Sequence, residues 1–349
     1  LGDYVNHNGE LDQRAPRSIL KKQIQKLNDM GYLPKIAPEL EFYVFNETYE
    51  SAEAKDFKNL TKASWYNEDY DIFQTTKEEP LIRAMRNGLN DAGIDVEGSK
   101  GEASAAQEEM NVMYAEALEM ADRHAIMKNG MKEIAYKQGK AITFMAKPFY
   151  DLCGNSFHLH SSLWDLKTDK ALFCVDGTNK MSDLFKYYLA GQLKLSSQIT
   201  YFFAPYINSY KRFAEGTFAP TQAVWSYDNR TAGYRILGHG PGLRVECRIP
   251  GADANPYLAY AATLAAGIFG IENKLELEDS QKGNMYQANI RGIPKTLREA
   301  LSELNNSKIM RNLFGDDVID HYVHAGEWEQ FEYDRRITDW ELRRYFERG

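Results

Sequence analysis

Four segments alternate apolar and ionisable residues with a period of two, and this pattern constrains the fold more than any other feature of the chain. Successive side chains of an extended strand point to opposite faces, so residues i and i+2 share one. In segment 37–43, Glu39 and Glu41 share a face, with Leu40 and Phe42 behind. Segment 157–163 groups His158, His160 and Ser162. Segment 243–249 sets Arg244, Glu246 and Arg248 against Val245, Cys247 and Ile249. Segment 107–114 sets Gln107, Glu109 and Asn111 against Glu108, Met110 and Val112. Taken singly, each has an ordinary reading: a wet sheet face, or a ladder of surface ion pairs. Together, and with Glu102 nearby in sequence, they put five carboxylates and a histidine on converging strands. Such a cluster repels itself unless cations sit in it. Oxygen ligands with one nitrogen suit Mg²⁺ or Mn²⁺.

The remaining periodicity interleaves helices with these strands. Helical patterns cover 16–31, 80–92, 117–137, 182–197, 256–271, 296–304 and a closing amphipathic stretch at 339–346. Further short strands are predicted at 94–97 and 142–146, and 47–79 reads as an irregular excursion. Strands polar on one face, mixed with helices in no regular βαβ order, predict an α+β domain with a curved antiparallel sheet flanked by helices. The formal net charge of -8 argues against a nucleic-acid partner. The longest apolar run, 257–271, follows Asn255-Pro256, a helix-start signal, and reads as a buried helix rather than a membrane span. Cys153, Cys174 and Cys247 are widely spaced and form no CxxC pair, so neither a disulfide framework nor a zinc knuckle is expected, and a reducing cytoplasm fits best.

Arginine is the second theme. Arg212, Arg230, Arg235, Arg244 and Arg248 form a set suited to clamping carboxylates and phosphates. With metal ligands, no evident serine or cysteine nucleophile and no GxxxxGK[ST] loop, the residues point to phosphoryl transfer by positioning and charge neutralisation.

The motifs at 37–42, 102–109, 154–163, 208–212, 229–230 and 244–257, and the ending at 339–346, occur in the order of the glutamine synthetase superfamily, which the chain resembles along nearly its whole length. The resemblance implies a catalytic domain whose curved sheet forms a funnel holding two or more Mg²⁺ or Mn²⁺ ions. Glu41, Glu102 and Glu109 would surround one ion, and Glu39, His158 and Glu246 the other. It implies that Arg212, Arg248 and the backbone at Gly154 hold glutamate. Arg230, Arg235 and Arg244 would hold the ATP phosphates, with His160, Ser162 and Glu97 near the nucleotide. Among these, Arg230, Arg212 and Glu246 would carry most of the catalysis. The γ-carboxylate of glutamate would attack the γ-phosphate of ATP, and an amine would then displace phosphate from the acyl phosphate. A large ring of identical subunits is also implied.

Two departures bear on the amine. Ammonia-using relatives carry Arg-x-x-Pro-Gly-x-Glu, whereas this chain reads Arg212-Phe213-Ala214-Glu215-Gly216-Thr217-Phe218. Phe218 thus stands where a flap glutamate would be, and Cys153 stands where an asparagine normally precedes the glycine of the substrate loop. Both favour a γ-glutamylamide synthetase of amine catabolism, acting on an uncharged organic amine. Aniline is expected first, a short alkylamine second and a diamine such as putrescine third. The competing expectations are a glutamine synthetase using ammonia and a non-catalytic structural relative. A metal-dependent hydrolase is set aside because no further metal-binding histidine motif follows His-x-His. The resemblance places a small β-grasp domain ahead of this one. The chain begins at Leu1 without such a domain, so 1–349 is expected to be the catalytic domain of a longer protein.

Overall fold

A fourteen-residue strand, β1 (Tyr32–Phe45), is the spine of the molecule. The computed structural model describes residues 1–288 and 290–348. After β1 come β2 (Val96–Gly101), β3 (Gln107–Val112), β4 (Ala115–Glu116), β5 (Ala141–Thr143), β6 (Phe157–Asp165), β7 (Trp225–Tyr227), β8 (Tyr234–Leu237) and β9 (Arg244–Cys247). The main path of the sheet runs β2-β3-β1-β6-β9-β8-β7, with β4 and β5 also paired to β1. The sheet is open. Every pair is antiparallel except β7 with β8, so the expected antiparallel sheet is in fact mixed. Because the pairing is parallel, residues 228–233 carry the chain back to the starting end of β7 instead of turning a hairpin. Asn229 shapes that loop by accepting hydrogen bonds from the amide and hydroxyl of Thr231 at 3.0 and 2.8 Å.

The helices are α1 (Pro16–Asp29), α2 (Tyr49–Ala54), α3 (Ile72–Asp91), α4 (Ala117–Lys137), α5 (Asp183–Phe203), α6 (Ile207–Tyr210), α7 (Pro256–Glu272), α8 (Leu297–Asn305), α9 (Lys308–Phe314), α10 (Asp316–Asp334) and α11 (Asp339–Tyr345). They cover the apolar back of the sheet, where Leu40, Phe42, Met110, Phe157, Leu159 and Val245 are fully buried. α7 is the apolar run, and it is buried on nearly every side; its Asn255 caps it by accepting from the amides of Tyr257 and Leu258. No helix among the described residues is long and apolar enough to cross a membrane. α5 packs on α7 at a backbone-to-backbone contact. A β-carbon on Gly191 would stand 2.1 Å from the carbonyl oxygen of Ala266, and one on Gly270 would stand 2.0 Å from that of Tyr187.

Two expectations are corrected. The excursion at 47–79 contains α2 and the first turns of α3, which starts at the Asp71 cap, not at Pro80. Pro80 lies inside the helix and does not open it. The acidic and polar residues of 72–79 hid that start. The two helices α9 and α10 were not anticipated. The closing helix α11 forms, but none of its residues is buried in this chain.

Candidate active site

Register, not sequence proximity, assembles the site. Residues directly opposite on neighbouring strands share a face. Glu39 of β1 faces His158 of β6, and Glu41 faces Glu109 of β3. His160 of β6 faces Glu246 of β9, which in turn faces Arg235 of β8. The alternation read from each strand therefore becomes one polar surface. The cavity on it has a volume of about 140 Å³, and its lining includes Glu39, Glu41, Glu102, Glu109 and His158.

Two sets of ligand atoms lie within 4.8 Å of one another, Glu39 with His158 and Glu246, and Glu41 with Glu109 and His158; Glu246 is fully buried and lies outside the cavity's lining. Glu102 lines the cavity without joining either set. Burial governs the charges. It pushes the Glu41 carboxyl up to about 7, with the nearby Glu109 adding to the rise. Burial likewise raises Glu102 to about 9, with Glu41 and Glu109 contributing. These carboxylates hold protons that a divalent cation would displace. Burial, then the Arg248 charge, lowers His158 to about 4, so its ring is neutral. His158 Nδ1 lies 3.1 Å from Glu39 and 3.5 Å from Glu246, so this nitrogen faces the first carboxylate set, while Nε2 is buried with no hydrogen-bond partner among the described residues. Burial alone would raise Glu39, but its contacts to His158 and His160 outweigh that and hold its carboxyl well below the usual range. This donor set of carboxylates and one neutral imidazole fits hard divalent cations.

The arginines fall into three positions. Arg230, Arg235 and Arg248 line the cavity. Arg248 donates to Glu246 at 2.5 Å, and Arg235 reaches the other oxygen of Glu246 at 3.2 Å. Arg230 donates to the Tyr70 hydroxyl at 3.1 Å. Arg244 lines a second, adjoining cavity of about 330 Å³ together with Glu97, His160, Ser162 and Glu39. Its Nε donates to His160 Nδ1 at 3.0 Å, and the Nε2 of His160 lies 3.0 Å from Glu39. Arg212 lies beneath the floor of the first cavity and not in its lining. It is fully buried and donates to Ser156 Oγ and to the Ile249 carbonyl, and burial lowers its pKa to about 10.

Gly154 sits over Arg212. A β-carbon there would stand 2.4 Å from the Ala146 carbonyl and 2.5 Å from Arg212 Cγ, so only glycine permits this approach. Cys153 and Phe218 line the cavity beside it. Phe218 is half exposed and sits at φ 57, a left-handed conformation that costs a bulky residue energy. The Thr217 hydroxyl ties its loop to the carbonyls of Ala214 and Arg212, at 2.7 and 3.3 Å.

Three lining residues have no place in the sequence reading. Asp69 and Tyr70 come from the segment read as irregular, and Lys100 from β2. Gln107 was grouped with Glu109 by alternation but given no role. Its amide donates to the Gly154 carbonyl at 3.0 Å and to Asn155 Oδ1 at 3.1 Å, bracing the glycine loop against β3.

The profile of the glutamine synthetase catalytic domain matches residues 13–345. The chain belongs to the glutamine synthetase family. Three relatives of this family member cover nearly all of it. Gamma-glutamylethanolamide synthetase GlnA4 of Streptomyces coelicolor is 46% identical over 348 residues, covering 100% of this chain and 74% of that protein. Type-1 glutamine synthetase 2 of Dictyostelium discoideum is 39% identical, covering 99% of this chain and 68% of that protein. Glutamate–isopropylamine ligase of a Pseudomonas species is 36% identical, covering 99% and 76%. Among solved structures, ligand-free GmaS superposes with a TM-score of 0.86 at 29% identity, over 97% of this chain and 78% of that one. The chain is therefore an ATP-dependent ligase of a family that depends on divalent metal.

Proposed function

We propose that the enzyme joins the γ-carboxyl of glutamate to a short alkyl- or hydroxyalkylamine through a γ-glutamyl phosphate. The observation that carries the preference for an organic amine over ammonia is Phe218. It presents an apolar face to the cavity where a flap carboxylate would attract ammonium. Burying apolar substrate surface against it is worth about 25 cal/mol per Å², which ammonia cannot collect. Two relatives named for ethanolamine and isopropylamine support small aliphatic amines ahead of aniline, the amine that Phe218 alone suggests.

In this reading Glu39, His158 and Glu246 hold one Mg²⁺ or Mn²⁺ ion, and Glu41, Glu102 and Glu109 another. The bound ions supply charge neutralisation where carboxylate and phosphate meet. Arg248 pairs with glutamate, the Gly154 carbonyl faces its amino group, and Arg212 holds up that floor and adds positive charge from below. Arg230, Arg235 and Arg244 take the ATP phosphates, with Glu97, His160 and Ser162 around the rest of the nucleotide.

The γ-carboxylate oxygen attacks the γ-phosphorus, and ADP leaves. The amine nitrogen then attacks the acyl carbon, the carbon–oxygen bond to phosphate breaks, and the amine's proton leaves on the departing inorganic phosphate. Water must be excluded meanwhile, and the Phe218 loop is placed to do so. Burial alone would raise the Glu246 carboxyl, but the adjacent Arg248 charge is the largest influence holding it below its ordinary value, so it steadies the arginines on either side of it. A cytoplasmic location, supported by three free cysteines, and a ring of subunits completing the amine pocket belong to the same reading. Feeding glutamate, ATP and each candidate amine to the full-length enzyme, and weighing the products by mass spectrometry, tests it. A γ-glutamylalkylamide is expected, and glutamine as the preferred product would refute it.

A further inference from the structure

Lys100 lines the cavity, and the reading above gives it no task. It stands directly opposite Glu109 in the β2–β3 register, just past an irregularity between Val96 and Gly98. Its ammonium donates to the Glu109 carboxylate and to Asn111 Oδ1 at 3.2 Å. Asn111 in turn faces Glu39 across β1. Glu109 is 2% exposed, so the lysine neutralises a charge that water cannot reach.

That carboxylate is also one of the three groups gathered within 4.8 Å with Glu41 and His158. An ammonium and a divalent cation brought to one carboxylate repel each other at contact distance. Lysine suits such a post better than arginine, because its charge is a point on a flexible four-carbon stem that can withdraw. One-third of the Lys100 side chain is exposed, so a path to withdraw is open.

We propose that Lys100 is a built-in counter-cation, which neutralises Glu109 in the metal-free enzyme and moves aside when a divalent ion binds there. Metal loading is then opposed by a residue that keeps the empty cluster stable. The released ammonium joins Arg230 and Arg235 at the rim, where added positive charge favours an arriving phosphate. The proposal rests on the metal reading of the preceding section.

The test titrates Mn²⁺ into full-length, nucleotide-free enzyme, with free Mn²⁺ followed by electron paramagnetic resonance. Lys100→Met is expected to bind its tightest Mn²⁺ about tenfold more tightly, since a charge-assisted contact no longer has to be broken. Lys100→Arg, which keeps the competing charge and withdraws less readily, is expected to bind Mn²⁺ no more tightly than wild type. Metal-free Lys100→Met should melt below wild type, and saturating Mn²⁺ should close the gap. In wild type, acetylation of Lys100 followed by mass spectrometry should quicken when Mg²⁺ is added. Mn²⁺ binding no tighter in Lys100→Met, or acetylation that Mg²⁺ leaves unchanged or slows, would overturn the proposal. Mn²⁺ that bound neither protein would overturn the metal assignment itself, and the proposal with it.

Discussion

Individual side chains divide the labour of the site by burial. Arg248 lines the cavity and is nearly inaccessible, so its charge is aimed inward. Arg248→Ala is expected to raise the glutamate KM roughly tenfold to a hundredfold, the value of a lost charge-assisted contact, and steady-state kinetics will read it. Among the described residues Arg230 is held only by Tyr70, and it can follow developing charge. Arg230→Ala is therefore expected to lower kcat by more than it raises that KM. On the back of the same strand as Glu109, burial and the adjacent Glu68 push the Glu108 carboxyl up to about 9. Its folded value lies above the unfolded one of 4.5, so its contribution to stability is whole below that pH. That contribution is lost as pH rises from there through about 9. Glu108→Gln should raise the melting temperature at pH 8 and flatten its fall between pH 6 and 9. A steeper fall in the variant would contradict this.

At the scale of elements, the contact between α5 and α7 is set by glycine. Carbonyl oxygens stand where β-carbons would go at Gly191 and Gly270, and backbone cannot yield as a side-chain tip can. Gly191→Ala is expected to destabilise the fold by about 1–3 kcal/mol, measurable by urea denaturation, despite alanine's better helix propensity. The polar strands were legible because alternation is a local property: β1, β3, β6 and β9 were found, and with them each carboxylate and histidine of the cluster. The buried α7 was legible from its unbroken apolar run and its Asn-Pro start. Pairing was not legible. Nothing local says that Lys100 meets Glu109 or that β7 runs parallel to β8, because register is settled by the whole sheet. Tyr70 was missed for a related reason. Its segment has no period, and it is placed by backbone hydrogen bonds from Asp69 and Tyr70 to the carbonyls of Glu102 and Gly101. Arg212 was identified as a site arginine, but only its packing under Gly154 reveals that it supports the floor from below.

At the scale of the whole molecule, one sheet surface carries two adjoining cavities that share Glu39, a layout suited to a reaction between two bound substrates. The outer face of α10 and α11 leaves Trp328, Phe331, Trp340 and Phe346 exposed, at 60%, 57%, 61% and 85%. In the proposed ring these side chains are expected to be covered, and light scattering of the full-length protein should report a large oligomer, not a monomer. The claim on which everything else depends is that this ligase prefers an organic amine to ammonia. The most direct measurement is kcat/KM for amine-dependent phosphate release by the full-length enzyme. It is run with ATP, Mg²⁺ and glutamate, across ammonium, ethanolamine, isopropylamine, putrescine and aniline. The account predicts that ethanolamine or isopropylamine exceeds ammonium by at least about tenfold, the worth of burying a few methylene groups against Phe218. Ammonium equal to or better than every organic amine would contradict it.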